Sequence, residues 1–145
     1  VVGYDPYSSA EKAAEISPNL VYVEDLADLY PQADFVTIHV PATPATKGMV
    51  DAEALAQMKD DVVLLNFARD TLVDDAALTA AMEAGRVRAY VTDFANPAVM
   101  QMPRAIVIPH LGASTEEAED NCAIMAVQEV MAYLADGTKT HCVNM

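Results

Sequence analysis

Two side chains stand out as able to act on a small molecule. His110 closes the apolar run Ile106-Val107-Ile108-Pro109 and precedes Leu111-Gly112-Ala113-Ser114. An imidazole titrates near neutrality, so a histidine at a strand end is poised to take or give a proton. A nearby carboxylate would orient it and favour the imidazolium. A capping or buried histidine fits the same letters. Arg69 follows the run Val62–Phe67. A guanidinium grips a carboxylate through two parallel hydrogen bonds, although Arg69 could also pair with Asp70 or Asp74 at the surface. Asp5 ends Gly3-Tyr4-Asp5-Pro6. An acid at the end of a nucleotide-fold strand can accept from both hydroxyls of a ribose and would repel a phosphorylated one; a turn aspartate before proline is the plainer reading. His39 sits at another strand end and is weaker as a catalyst. His141 follows the last helix, where a structural or exposed role is expected.

These residues belong to a chain of 145 residues, one domain's worth or a piece of something larger. A domain of this size buries about 68–70% of its unfolded surface and needs no disulfide scaffold. Hydrophobic residues make up 53% and charged residues 21%, against disorder. Only 8 Lys and Arg face 22 Asp and Glu, a net charge of −14. Such a surface repels phosphate backbones and anionic lipid, so neither nucleic acid nor a membrane is an expected partner. A cation at a strand end is correspondingly more pointed. Cys122 and Cys142 form no zinc spacing and no CxxC, and read as reduced thiols of a cytoplasmic protein. No run approaches the ~18 apolar residues of a membrane span, no leader is recognisable, and no His/Cys/Asp set has metal spacing, so no metal is expected.

The elements that must position the candidates are short. Val1–Asp5, Leu20–Glu24, Phe35–Val40, Val62–Phe67, Arg88–Asp93 and Ala105–Pro109 are rich in Val, Ile, Tyr and Phe, as strands buried on both faces require. Helical patterns alternate with them at Ser8–Ile16, Glu24–Leu29, Asp51–Met58 and Asp74–Ala84, the last stopping at Gly85. Ser114-Thr115-Glu116-Glu117 reads as a capping box opened by Ser114. Ile124, Val127, Met131 and Leu134 then stripe a long helix that stops at Gly137. Strand–helix alternation predicts an α/β fold with a parallel sheet. Ligands of such sheets sit beyond the carboxyl ends of the strands, which here carry Asp5, His39–Thr43, Asn66–Arg69, Asp93–Asn96 and His110–Ala113. Gly3, Gly48, Gly85, Gly112 and Gly137 make no GxGxxG, so no phosphate-cradling turn is present in this sequence.

Four stretches carry a resemblance over essentially the whole chain: Gly3-Tyr4-Asp5-Pro6; Ala33-Asp-Phe-Val-Thr-Ile-His-Val-Pro41; Asn66-Phe-Ala-Arg69 with Val73-Asp74 and Ala77-Leu78; and Pro109-His-Leu-Gly-Ala-Ser-Thr-Glu-Glu-Ala118. In these the sequence resembles the D-isomer-specific 2-hydroxyacid dehydrogenases. The resemblance implies a Rossmann-like doubly wound parallel sheet and NAD as cofactor. It implies hydride transfer between NAD and C2 of a 2-hydroxy acid. Arg69 would hold the substrate carboxylate and polarise C2, and His110 would exchange the hydroxyl proton. Asp5 would hold the adenosine ribose, and His39, Pro41 and Thr43 would line the cofactor cleft. Asp93 would face the nicotinamide carboxamide, with Gly112 and Ala113 close to the nicotinamide. The stretch Tyr90-Val-Thr-Asp-Phe94 narrows the implied substrate to D-3-phosphoglycerate, oxidised to 3-phosphohydroxypyruvate in the first step of L-serine biosynthesis. A homodimer, or a higher homo-oligomer, is the implied state.

Two departures qualify the resemblance. The family pairs its catalytic histidine with a glutamate shortly after the strand-end aspartate. Here the segment is the shortened Asp93-Phe-Ala-Asn-Pro97, with Asn96 nearest the glutamate's place. Asn96 can hydrogen-bond but cannot stabilise an imidazolium by charge. The family's first nucleotide-fold strand, its glycine loop and its substrate domain have no counterpart from Val1 onward. The expectation is a partial NAD-binding domain over residues 1–137, from its second strand onward, and the start of a return segment to the substrate domain over 138–145. In the order 3-2-1-4-5-6 the absent strand is central, so a gap in the sheet and an inactive isolated chain are expected. Other readings remain: a dehydrogenase of glycerate, glyoxylate or D-lactate, or a non-catalytic module for dimerisation or NAD sensing.

Overall fold

The computed structural model describes residues 1–142, so the end of the expected return segment, residues 143–145, lies outside the described residues. Two units make up the chain, Val1–Pro109 and His110–Met145. Neither contains a helix long and apolar enough to cross a membrane among the described residues.

The first unit holds six parallel strands in two sheets. One pairs β1 (Val2–Gly3) with β2 (Val21–Tyr22). The other runs β3 (Phe35–Ile38), β4 (Val62–Asn66), β5 (Val87–Thr92), β6 (Ala105–Val107), in that order across the sheet. The expected break in the sheet is therefore present. The expected strand runs are longer than the strands. Among the described residues β1, β2, β3 and β6 each have one neighbour, so fewer of their backbone groups find ladder partners than in β4 and β5. β4 has a neighbour on both sides, and Val62, Val63, Leu64 and Asn66 are all buried in it. That is why its sequence is a continuous apolar run rather than an alternating one.

Helices α1 (Ala10–Ile16), α2 (Leu26–Leu29), α3 (Ala52–Gln57) and α4 (Asp75–Glu83) lie between the strands. Each begins on an oxygen that takes up a free backbone N–H: Ser9 from Lys12, Asp25 from Ala27, Asp51 from Ala54, and Asp74 from both Ala76 and Ala77. α1 ends at Ile16, just ahead of Ser17-Pro18, where the proline ring disfavours the helical conformation of the residue before it. Leu55, Leu64, Leu72, Leu78, Met82, Val87 and Tyr90 form the centre of the core between α3, α4 and the larger sheet.

Every helix carries an acid in its first turn and none a base in its last. For α3 and α4 the missing base arrives from elsewhere in the chain. Arg86 Nη2 donates to the carbonyls of Ala56 at 3.1 Å and Met58 at 3.2 Å. Arg104 Nη2 donates to the carbonyls of Met82 and, at 3.1 Å, Val87.

The second unit is built on α5 (Glu116–Asp136). Its cap is Thr115, whose hydroxyl accepts from Ala118 N at 3.1 Å. The expected capping residue, Ser114, instead closes the preceding turn by donating its backbone N–H to Leu111 O. The cap falls one residue later because Thr115, at φ −92° and ψ 148°, is the last extended residue before the helix. Gly137 at φ 78° ends α5 in the left-handed conformation that glycine adopts without strain. The expected apolar stripe is exposed, from 54% at Ile124 to 77% at Leu134. No disulfide joins Cys122 and Cys142.

Candidate active site

Strand register builds the candidate site. Ile38 pairs with Asn66, Asn66 with Thr92, and Thr92 with Val107. The four carboxyl ends of the larger sheet are therefore level, and the residues that follow them share one edge. These are His39, Phe67–Arg69, Asp93–Asn96 and Ile108–Pro109.

Beneath that edge lies a buried polar cradle. Asn66 is fully buried at the end of β4. Its Nδ2 donates to Arg69 O at 2.9 Å and to Tyr90 Oη at 3.3 Å, and its Oδ1 accepts from Ala68 N at 3.1 Å. Thr92 Oγ1 donates to Asn66 O at 2.8 Å and accepts from Phe94 N at 3.2 Å. Burial pushes the Tyr90 phenol up, against smaller opposing effects of Thr92 and Asn66, so it stays protonated. One amide side chain thus shapes the turn Phe67–Arg69. A buried amide left without partners would be costly, and this one has them.

Arg69 emerges from that turn. It is exposed, and its Nη1 donates to Ala68 O at 2.6 Å. It forms no ion pair with Asp70 or Asp74 among the described residues. The other three arginines are engaged within the fold: Arg86 and Arg104 on helix-end carbonyls, and Arg88 over the Phe35 ring at 5.7 Å. Among the described residues, the guanidinium on the strand-end edge is thus the one that faces solvent with a neighbouring carbonyl alone for a partner.

Asn96 sits half-buried on the same edge. Its Nδ2 donates to Asp70 Oδ1 and to Asp75 Oδ2, both at 2.9 Å, while its Oδ1 accepts from Val99 N at 2.8 Å. Burial pushes the Asp75 carboxyl above its usual range. The Asn96 bond opposes that shift, and the charges of Asp70 and Asp74 add to it.

The other expected residues are placed as follows. His39 is exposed just past β3, with Nε2 2.8 Å from Thr37 Oγ1. Pro41 and Thr43 are exposed in a turn closed by Thr46, whose hydroxyl donates to Pro41 O at 2.6 Å and accepts from Thr43 N at 2.9 Å. Asp93 is half-buried directly after β5. Asp5 follows β1, in the smaller sheet. One of its carboxylate oxygens, Oδ1, accepts from Tyr7 N at 2.9 Å, making the turn that its proline neighbour suggested. His110, Gly112 and Ala113 are exposed in the second unit. A Cβ added at Gly112 would meet nothing within 4 Å, so a flat ring can approach this backbone closely. Among the described residues no group of three His, Cys, Asp or Glu could hold a metal.

NAD fits part of this set. A carboxylate oxygen at the end of β1 suits a ribose, and polar strand ends suit a carboxamide. The described residues offer no glycine-rich turn for a pyrophosphate. The contributions of Tyr90, Thr92 and Asp75 were not legible beforehand. The one available signal was an asparagine closing an otherwise apolar strand, which implies a polar partner inside.

Comparison with known proteins agrees with this geometry. Residues 1–112 match the family profile described as D-isomer specific 2-hydroxyacid dehydrogenase, NAD binding domain. The chain is 41% identical over its whole length to a D-3-phosphoglycerate dehydrogenase of Mycobacterium tuberculosis (strain ATCC 25618 / H37Rv), spanning 28% of that protein. It is 35% identical over its whole length to one of Methanocaldococcus jannaschii, again spanning 28%. Among solved structures, D-lactate dehydrogenase with NAD+ from Lactobacillus jensenii matches with a TM-score of 0.81 at 28% identity, over 99% of this chain and 48% of that one. D-2-hydroxyisocaproate dehydrogenase matches with a TM-score of 0.83 at 24% identity, over 96% of this chain and 47% of that one, and speaks to the fold alone.

Proposed function

The chain belongs to the D-isomer specific 2-hydroxyacid dehydrogenase family and carries much of its NAD binding domain, and from that premise we propose that it is part of an enzyme oxidising D-3-phosphoglycerate to 3-phosphohydroxypyruvate. The observation that carries the reading is Arg69, an exposed guanidinium on the strand-end edge that, among the described residues, donates to its neighbour's carbonyl alone. Two parallel N–H donors suit the planar carboxylate of a 2-hydroxy acid, and their charge polarises C2 of the 2-oxo acid toward hydride in the reductive direction.

NAD supplies the hydride acceptor when bound. Everything else falls to side chains. Arg69 fixes the carboxylate, and His110 takes the C2 hydroxyl proton on oxidation and returns it on reduction. Asp5 accepts from the adenosine ribose. Asp93 faces the carboxamide, His39, Pro41 and Thr43 line the cofactor cleft, and Gly112 and Ala113 let the nicotinamide approach. Phosphoglycerate is favoured over glycerate, glyoxylate or D-lactate by the curated relatives, which are named for it. The setting is cytoplasmic and the working state a homodimer. An exposed apolar stripe on α5 supports the latter, since such patches mark association surfaces.

The test uses the full-length protein that carries this chain. NADH formation is followed with D-3-phosphoglycerate, D-glycerate and D-lactate. The reading expects kcat/KM highest for D-3-phosphoglycerate, and Arg69→Lys lowering it by about 10–100-fold through KM, since the charge stays and the fork is lost. Preference for D-lactate would move the substrate assignment; an unchanged KM in Arg69→Lys would remove Arg69 from the site. Sedimentation of Met131→Glu/Leu134→Glu, expected to shift toward monomer, tests the dimer.

A further inference from the structure

The structure assigns Asn96 the role of a positioning residue: it clamps Asp70 and Asp75 together and so fixes the turn from which Arg69 projects. Three segments meet at this one side chain. Asp70 opens the 3₁₀ turn Asp70–Leu72 directly after Arg69, Asp75 is the first residue of α4, and Val99 opens the 3₁₀ turn Val99–Gln101. Both Nδ2 hydrogens are used, one on each carboxylate, and Oδ1 takes the Val99 N–H. Val99 and Leu72 are buried, so both 3₁₀ turns are anchored in the core.

The Arg69 backbone is thereby held from two directions. Asn66 reaches its carbonyl from below the sheet edge. Asn96 reaches the next residue from the β5–β6 loop. The guanidinium keeps a fixed root without giving up its exposure. Misplacing a carboxylate grip by ~1 Å costs about 10²-fold in rate.

The geometry also explains why position 96 is an amide. A carboxylate there would lie within 3 Å or so of two others, with no donor between them, and like charges that close cannot all stay ionised. Two carboxylates facing one another need a neutral double donor, which an amide NH₂ is and an acid is not. Asn96 is therefore suited to the acids beside Arg69, and with both donors committed it is poorly suited to serve as the charge partner of a histidine.

This role rests on Arg69 binding the substrate carboxylate, so the experiment separates the two claims. In the full-length protein, Asn96→Ala is expected to raise KM for the hydroxy acid about tenfold, and Asn96→Asp about 100-fold, with KM for NAD held within about twofold. The triple variant Asp70→Asn/Asn96→Asp/Asp75→Asn inverts the clamp, one carboxylate accepting from two amides, and is expected to return KM to within about threefold of the original. Hydrogen exchange gives a readout that needs no activity: Asn96→Asp should speed amide exchange over residues 68–73, and the triple variant should slow it again. Asn96→Asp as active as the parent protein would overturn the clamp and make position 96 an acid site. So would a triple variant no better than Asn96→Asp, or losses that follow melting temperature and NAD affinity equally. If no hydroxy acid is oxidised at all, the dehydrogenase reading falls, and the exchange pattern alone decides whether Asn96 holds the turn.

Discussion

At the scale of single residues, two side chains concentrate the energetics of the site. Asn66 satisfies Arg69 O, Ala68 N and Tyr90 Oη from one buried position. Asn66→Ala removes three hydrogen bonds at once, the one to Tyr90 Oη fully buried, and is expected to destabilise the protein by about 2–3 kcal/mol in urea unfolding. Asp75 carries the opposite sign. Its carboxyl is pushed above its usual value, chiefly by burial. Between the ordinary and the raised value the folded state binds more protons than the unfolded chain, so stability falls as pH rises through that window. Asp75→Asn removes that fall. The variant is expected to gain melting temperature at about pH 7 relative to the parent and to show no gain at about pH 3, where both side chains are neutral. A gain of equal size at both pH values would show that burial of the charge is not its cause. Arg69 and the strand-end acids were legible in the sequence because polar residues after apolar runs are conspicuous. Asn96 was legible as a departure, but its partners were not: Asp70 and Asp75 lie more than twenty positions earlier in the chain, and only folding brings them together.

At the scale of elements, the sheet was legible and its edges were not. Val62–Phe67 and Arg88–Asp93 read as strands because interior parallel strands need apolar side chains on both faces. The runs at Val1–Asp5 and Leu20–Glu24 read equally well, yet β1 and β2 keep two residues each. Hydropathy records what a strand is suited to bury, whereas its length depends on how many neighbours bond to it. Helix starts were legible because their caps are local; Thr115 in place of Ser114 marks the limit of that reading, since two adjacent hydroxyls offer the same chemistry. Helix ends depended on distant residues. Arg86 caps α3 from the far side of α4, and nothing in the α3 sequence announces it. Arg86→Met keeps much of the apolar stem and removes the donors. It is expected to lower stability by about 1–2 kcal/mol, with faster amide exchange in the last turn of α3 as the local signature.

At the scale of the whole molecule, acids begin the helices and few bases answer them. Of the 8 lysines and arginines set against 22 acids, Arg86 and Arg104 are drawn to backbone carbonyls. α1, α2 and α5 have no base in their last turns. Their negative ends thus add to a surface that is already anionic. The consequence is a dependence on the surrounding electrolyte. A fold at net −14 repels itself, and its neutralisation falls to cations recruited from solution. The Debye length contracts from about 30 Å at 0.01 M salt to about 3 Å at 1 M. Melting temperature should therefore climb with added potassium chloride. A protein of balanced charge, melted in the same series, would show little change over that range. Ionic strength is in this sense a component of the native state, supplying from the medium the positive charge that the chain omits.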